Sequence, residues 1–333
     1  MGRARAGEVT PTSLDPPPEL QREPRARPGL RVALRIGAGL GLLALVAWHA
    51  DLSSLAAQLR GASAALFVAA ALTAICANLV SSARWAAIAR ALGLTAPTLR
   101  LIPAYARGVT ANTLLPGGTL SGDLLRSFQL ARLGNPFLRC ALSVFFDRFS
   151  GLWVLCVMSL LAALGLALSG LAGAALPGGM LAYVGLLAAI VLAPFLPWPT
   201  GWLRITALRP LVELALKLDR LRERIRDERA ALLRSVWLSV AVQVLSALVF
   251  WLCLRAVGVE LTYFATLAAA APIFIMAALP LGVAGFGTRE LGAVLVLGFL
   301  GVPADQATAA SMLFGLTIVV QGLLGAPLFL FKA

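Results

Sequence analysis

Long apolar segments separated by short polar segments account for most of this chain. A membrane-spanning helix needs about 20 mostly apolar residues, and the sequence holds eight or nine segments of that kind. They lack the strict alternation of polar and apolar residues that a membrane β-barrel requires. Because only helices and closed barrels cross lipid, the pattern predicts an all-α, polytopic helical membrane protein. The predicted spans cover residues 32–50, 62–81, 141–169, 180–198, 235–257, 262–281, 290–302 and 306–330.

Shifts in composition divide the chain further. Residues 1–30 contain six prolines, mixed charge and almost no large apolar side chain, which predicts a disordered cytoplasmic tail. Residues 31–331 form a single predicted transmembrane domain. Within it, residues 203–234 are the most charged stretch and carry leucines at helical spacing. We therefore expect a cytoplasmic amphipathic linker helix there, between two halves of the domain.

The net charge of +13 arises from 28 lysines and arginines against 15 acidic residues. The basic residues concentrate in loops between predicted spans, which is typical of loops that stay in the cytoplasm. This placement argues against nucleic-acid binding. It predicts a multi-pass protein of the cell (inner or plasma) membrane with both termini in the cytoplasm. A single histidine and four isolated cysteines offer no set of ligands at metal-binding spacing, so neither a metal nor another cofactor is expected.

Two segments interrupted by proline and glycine differ from the apolar background. The first, LPGGTLSGDLLR, runs from Leu115 to Arg126, and the second, LPLGVAGFGTRE, runs from Leu279 to Glu290. The spans that flank each segment require it to enter and leave on the same side of the membrane. The sequence therefore predicts two re-entrant hairpins of opposite orientation, an arrangement typical of transporter binding sites. The predicted turn residues are Pro116, Gly117, Gly118, Gly122, Pro280, Gly282, Gly285 and Gly287.

Ionisable residues inside the predicted membrane region are the second candidate feature. A charge at mid-bilayer costs roughly 2.5 to 3.5 kcal/mol, so such residues face a cavity or one another. Pairing four positive with three negative side chains leaves one positive charge without a partner. Helix ends at the glycine turns add N–H donors for an anion. Snorkelling at the interface is the alternative, above all for Arg126, Asp147 and Arg148. The candidate residues for binding a lipid headgroup are Arg107, Asn112, Asp123, Arg126, Asp147, Arg148, Arg289 and Glu290.

These residues resemble the motif series of the lysylphosphatidylglycerol synthase transmembrane region, also called the flippase-like domain family. The matching motifs are Asn112–Gly118 with Gly122–Arg126, then Asp147–Leu152, then Pro280–Glu290, and the resemblance covers about residues 30–331. In that family the first motif usually has Glu, and the second often has Glu, where this chain has Asp123 and Asp147. Longer members carry a C-terminal synthase domain that transfers lysine from tRNA to phosphatidylglycerol. The resemblance therefore implies the lipid-handling half without the aminoacyl transferase.

Residues and resemblance together favour an integral membrane protein that handles anionic lipid, specifically a flippase-like lipid translocator. In this hypothesis Arg126, Arg148 and Arg289 contact a phosphate, and neighbouring carboxylates hold them in place. The expected partners are membrane lipids, either an anionic phospholipid or a polyprenyl-phosphate-linked lipid.

The alternative hypothesis is a membrane-embedded enzyme or an accessory factor in glycolipid, polyprenyl-phosphate or phospholipid biosynthesis. Asp123 or Glu290 would then act as a general base, and the arginines would stabilise phosphate charge. The sequence favours a protein that is not an enzyme, and no catalytic residue is assigned. A third hypothesis is a scaffold that binds a separate synthase or glycosyltransferase through residues 203–234.

Overall fold

A computed structural model describes residues 52–114, 119–169, 178–192, 229–279 and 287–329. These residues form ten α-helices and one 3-10 turn, without a β-strand, which confirms the all-α fold class. In chain order the helices are α1 (Leu52–Gly61), α2 (Ala64–Ala91), α3 (Thr98–Leu114), α4 (Thr119–Ala131), α5 (Phe137–Leu168), α6 (Gly178–Leu192), α7 (Arg229–Ala256), α8 (Tyr263–Ala278), α9 (Thr288–Gly298) and α10 (Ala304–Gly325), followed by the 3-10 turn Ala326–Phe329.

The helices of this fold differ clearly in length. By length and composition, α2, α5, α7 and α10 are able to cross a membrane. The 28 residues of α2 extend ~42 Å at 1.5 Å per residue, against a hydrocarbon core of about 30 Å. In contrast, α3, α4, α8 and α9 have 17, 13, 16 and 11 residues. Their lengths are therefore ~25, ~20, ~24 and ~16 Å.

Helix α2 continues beyond the span that its apolar pattern predicts. The expected span was 62–81, but the helix ends at Ala91, so Arg84 and Arg90 belong to the helix and not to a loop. Residues 86–91 contain four alanines, which are the strongest helix formers. The helix stops at Gly93, whose φ of 72° is readily adopted only by glycine.

The packing of eight helices divides them into two equivalent sets, α2 to α5 and α7 to α10. In each set the two short helices pack together, and the second short helix packs on the long helix that follows it. The first short helix of each set packs on the last long helix of the other set. Helices α2 and α7 form the most extensive pair and are antiparallel, since Ser63 N–H donates to the Ala256 carbonyl at 2.9 Å. Exchanging the two sets leaves the pattern of packed pairs unchanged, so the fold contains an internal repeat.

Similar short sequences also occur at equivalent helix ends. Helix α2 ends in Arg90-Ala-Leu-Gly-Leu94, and α7 ends in Arg255-Ala-Val-Gly-Val259. Both glycines have positive φ, 72° and 79°, and in both the N–H of the next residue returns to a carbonyl five residues earlier. That hydrogen bond is the Schellman cap. Leu-Gly-Asn-Pro at 133–136 precedes α5, and Leu-Gly-Val-Pro at 300–303 precedes α10. These caps are a sequence signature of the repeat that the apolar pattern does not reveal.

Each half of the repeat has an apolar core at the C-terminal end of its first long helix. One surrounds the C-terminal end of α2 with α3, α4 and the start of α5, and includes Trp85 and Leu101. The other surrounds the C-terminal end of α7 with α8, α9 and the start of α10, and includes Phe250 and Ile273. Because α2 and α7 are antiparallel, the two cores lie at opposite ends of this helix pair.

Several predicted segments lie outside the described residues. They are the tail 1–30, the first span 32–50, most of both hairpin turns, and the linker 203–234 except its last six residues, which begin α7. The predicted disorder of the tail and the amphipathic character of the linker therefore stay predictions.

Candidate functional site

The first half of the candidate site is built on the helical hairpin of α3 and α4. The helices approach closely where Asn112 faces Gly122, and Asn112 Oδ1 accepts a hydrogen bond from the Gly122 N–H at 2.7 Å. A Cβ atom on Gly122 would overlap the Gly108 carbonyl oxygen and lie 2.5 Å from Asn112 Oδ1. Glycine is therefore required for this approach. The hairpin fixes the position of Arg126, which follows Gly122 by one helical turn.

Arg126 is buried and held in a defined orientation. Its guanidinium carbon lies 4.4 Å from the ring centroids of both Trp85 and Tyr105. Its Nη2 donates to Asp147 Oδ2 at 2.7 Å, and Trp85 is itself fixed by a 3.1 Å hydrogen bond to Ser143 Oγ. Stacking between aromatic faces suits the flat guanidinium group. Two aromatic rings and one carboxylate therefore fix the orientation of the guanidinium group.

Asp147 is shared between two arginines. Its Oδ1 accepts from Nε of Arg84 at 2.9 Å, while Oδ2 accepts from Arg126. All three residues are more than nine-tenths buried. Nη1 of Arg84 and Nε of Arg126 are buried without a hydrogen-bond acceptor in the described part of the chain. The sequence prediction missed Arg84 because it treated the first basic residues after the apolar run as a loop.

A second carboxylate extends this network to a more exposed arginine. Asp123 on α4 accepts from Nη2 of Arg148 on α5 at 2.9 Å, and it lies 3.8 Å from Nη1 of Arg126. The side chains of Arg148 and Asp123 are 48% and 22% exposed. The network therefore joins three arginines to two aspartates and carries one net positive charge.

The second half of the site is a buried ion pair on α9. Arg289 Nη2 donates to Glu290 Oε1 at 2.8 Å, and both residues are at most 1% exposed. Ser311 on α10 bridges the pair, since it accepts from Arg289 Nε and donates to Glu290 Oε1. Glu290 Oε2 also accepts the N–H of Gly287 and so caps the start of α9. In each half, an arginine of the second short helix therefore forms a hydrogen bond with the long helix that follows.

Residues of both halves line one cavity of about 330 Å³, here called the central cavity. All eight helices of the repeat contribute to its wall. The charged lining consists of Arg126 and Arg148 from the first half and Arg289 from the second. Their carboxylate partners are not among the lining residues. The central cavity therefore has an electropositive wall, and the rest of its lining combines apolar side chains with polar ones such as Asn78, Asn112 and Gln321.

The structure groups seven of the eight predicted headgroup residues at the central cavity. Asn112, Arg126, Arg148 and Arg289 line it, while Asp123, Asp147 and Glu290 pair with the lining arginines. The eighth, Arg107, is not among the lining residues. Its Nε donates to the Leu328 carbonyl after α10 at 2.9 Å, where carbonyls at a helix end attract a cation. Of the predicted turn glycines that the structure describes, Gly287 immediately precedes α9, whereas Gly122 lies within α4 and not in a turn. Binding of lipid by these side chains stays a prediction.

Comparison with known protein families tests the resemblance seen in the motifs. A family model described as the lysylphosphatidylglycerol synthase TM region matches residues 32–325. The chain belongs to this family. The match to the lysylphosphatidylglycerol synthase TM region extends over both halves of the repeat and confirms the resemblance. No curated protein matches the chain. Membership in the family, together with the four long apolar helices, identifies an integral, multi-pass membrane protein with a lipid-related function.

Proposed function

We propose that this protein translocates an anionic phospholipid across the membrane and binds the headgroup phosphate in the central cavity. The observation that carries the proposal is the convergence of Arg126, Arg148 and Arg289 on one cavity from two repeated halves. Guanidinium groups match phosphate oxygens in geometry and charge. A cavity at the interface of repeats is a typical location for a transported substrate.

The carboxylates have a supporting role in this proposal. Asp123, Asp147 and Glu290 lie behind the lining arginines and hold each guanidinium in place. A buried arginine without such a partner would be strongly unfavourable in lipid. Because each pair is built in advance, a phosphate that enters meets fixed donors and does not have to order long side chains.

The short helices support the proposal of two re-entrant hairpins. Helices of 17 and 13 residues in one hairpin, and of 16 and 11 in the other, are shorter than the 20 residues or so that a span needs. Since α2 and α7 are antiparallel, the two hairpins enter from opposite faces of the membrane. Rocking of one half against the other would then open the central cavity to each face in turn. Both termini are cytoplasmic in this arrangement, and the protein resides in the cell membrane.

Proteoliposomes test this function. We expect purified protein in vesicles to move fluorescent phosphatidylglycerol between leaflets faster than fluorescent phosphatidylcholine, because only the first lipid has a net negative headgroup. The recovered lipid should have unchanged mass. Equal rates for the two lipids, or no movement above empty vesicles, would contradict the proposal. A covalently altered lipid, formed with a supplied donor, would support the alternative of a membrane-embedded enzyme in lipid biosynthesis.

A further inference from the structure

A second, apolar cavity of about 180 Å³ lies beside the central cavity, between α2, α3 and α10. Its walls are helix faces with side chains at spacings of three and four residues. We call it the chain groove, and its apolar lining includes Ile75, Leu79, Ile102, Ala106, Leu324 and Leu328. Leu79 and Leu324 are 47% and 63% exposed. The groove therefore opens on the outer surface of the helix bundle.

The chain groove is continuous with the central cavity. Both are lined by Asn78, Tyr105, Val109 and Gln321. At this junction the Asn78 amide donates to Gln321 Oε1 across α2 and α10, and Gln321 Nε2 donates to the Thr317 carbonyl at 3.0 Å. Polar amides thus mark the border between an electropositive cavity and an apolar groove.

Close packing of α3 against α10 maintains the shape of the chain groove. Thr110 Oγ1 donates to the Gly322 carbonyl at 3.0 Å, and a Cβ atom on Gly322 would lie 3.0 Å from Thr113. Hydrogen bonds also link the three equivalent helices of the other half, α5, α7 and α8. Ser159 Oγ donates to the Leu267 carbonyl at 2.7 Å, and Gln243 Nε2 donates to the Gly151 carbonyl at 2.8 Å.

We propose that the chain groove holds an acyl chain of the phospholipid whose headgroup occupies the central cavity, with Asn78 and Gln321 at the ester linkage between them. This inference rests on the proposed function. The order of surfaces, from arginines through amides to apolar side chains, matches the order of phosphate, ester and hydrocarbon in a phospholipid. The lipid enters sideways between α2, α3 and α10, and its chain stays in contact with the bilayer through the open side of the groove.

Two soluble probes separate the groove from the headgroup site. Glycerol phosphate presents a phosphate group without acyl chains, and dihexanoyl phosphatidylglycerol presents a phosphate group with short chains. In detergent-purified protein, Ala106→Phe and Leu324→Trp should each weaken binding of the short-chain lipid about tenfold, which corresponds to two methylene groups losing their contacts. Both variants should bind glycerol phosphate like the wild type. Leu323→Trp is the matched control, because Leu323 is similarly exposed at 58% but does not line the groove.

The outcomes distinguish failure of the groove from failure of the function. Unchanged short-chain lipid binding in Leu324→Trp, or equal losses in Leu323→Trp and Leu324→Trp, would overturn the groove assignment. Equal loss of both probes in Leu324→Trp would overturn it as well. If Arg126→Gln leaves glycerol phosphate binding unchanged, the headgroup site itself is wrong, whatever the groove variants do. Leu324→Trp keeps the test valid if Ala106→Phe fails to fold, since Leu324 is on the surface.

Discussion

Asp147→Asn is expected to lower the free energy of unfolding by about 3–5 kcal/mol, the usual effect of removing one partner of a buried ion pair. Asparagine preserves the shape of the side chain but removes the charge that Arg84 and Arg126 share. The buried Arg84 would then lose its carboxylate partner, and Arg126 would keep only Asp123, whose Oδ1 lies 3.8 Å from Nη1. Thermal unfolding of the purified protein in detergent measures the effect.

Asp123→Asn is the matched control for this prediction. Asp123 pairs with the half-exposed Arg148, and exposed pairs contribute about 0–1 kcal/mol. We also expect Arg84→Gln to restore part of the stability lost in Asp147→Asn, because it removes the buried cation that has lost its carboxylate. Equal destabilisation by Asp147→Asn and Asp123→Asn, or no rescue by Arg84→Gln, would contradict a shared buried carboxylate.

The double variant Arg289→Gln, Glu290→Gln is expected to fold and to lose transport. Changing both residues removes the buried pair without leaving a lone charge, so the loss of stability should be smaller than for Glu290→Gln alone. Among the residues that the structure describes, Arg289 is the one charged residue that lines the central cavity from the second half, and this variant removes it. A hydrogen bond to a charged group is worth about 1.5–3 kcal/mol. Translocation of fluorescent phosphatidylglycerol in vesicles should therefore fall about tenfold or more.

The exposed ion pair Arg255–Glu260 provides the control for that experiment. Its side chains are 39% and 82% exposed, and it lies at the end of α7. The double variant Arg255→Gln, Glu260→Gln makes the same chemical changes outside the central cavity and should transport at the wild-type rate. If the Arg289→Gln, Glu290→Gln variant also transports at the wild-type rate, the Arg289–Glu290 pair does not belong to the substrate site.

The sequence predicts the helical membrane fold well, because apolar length alone identifies the long helices. It also locates the breaks between α3 and α4 and between α8 and α9, since proline and glycine interrupt the apolar pattern at Pro116 and Pro280. Helix ends are harder to predict. The apolar pattern ends α2 near Arg84, although the alanine-rich stretch that follows continues the helix to Ala91.

The side chains that pair with one another in the candidate site are only partly predictable from the sequence. The motifs identify Arg126, Asp147 and Arg289, because charges in apolar surroundings stand out. Arg84 is missed, since its pairing with Asp147 spans 63 positions of sequence and leaves no local pattern. Arg107, in contrast, was predicted to belong to the site but does not line the central cavity. It is as conspicuous in the sequence as the others, but the carbonyl it binds lies beyond α10 and becomes visible only in the fold.

The internal repeat is recognisable in the sequence once the fold is known. The two hairpins share a Leu-Pro start and a later arginine, which suggests the repeat. The paired caps after α2 and α7 and the paired Leu-Gly-X-Pro segments at 133–136 and 300–303 are stronger signals. They are short and separated by long apolar stretches of similar composition, so they are hard to distinguish from chance before the helices are aligned by their packing.

If arginines from both halves bind the same phosphate, each chain binds a single lipid, and the stoichiometry of binding shows whether it does. We would titrate purified protein with dihexanoyl phosphatidylglycerol and count bound lipids by native mass spectrometry. Arg126→Gln leaves Asp147 paired with Arg84, and the Arg289→Gln, Glu290→Gln variant is charge-neutral, so both should fold. We expect one lipid per chain at saturation and a weaker affinity for that same lipid in each variant. Two independent sites, each sensitive to the substitutions of only one half, would contradict it.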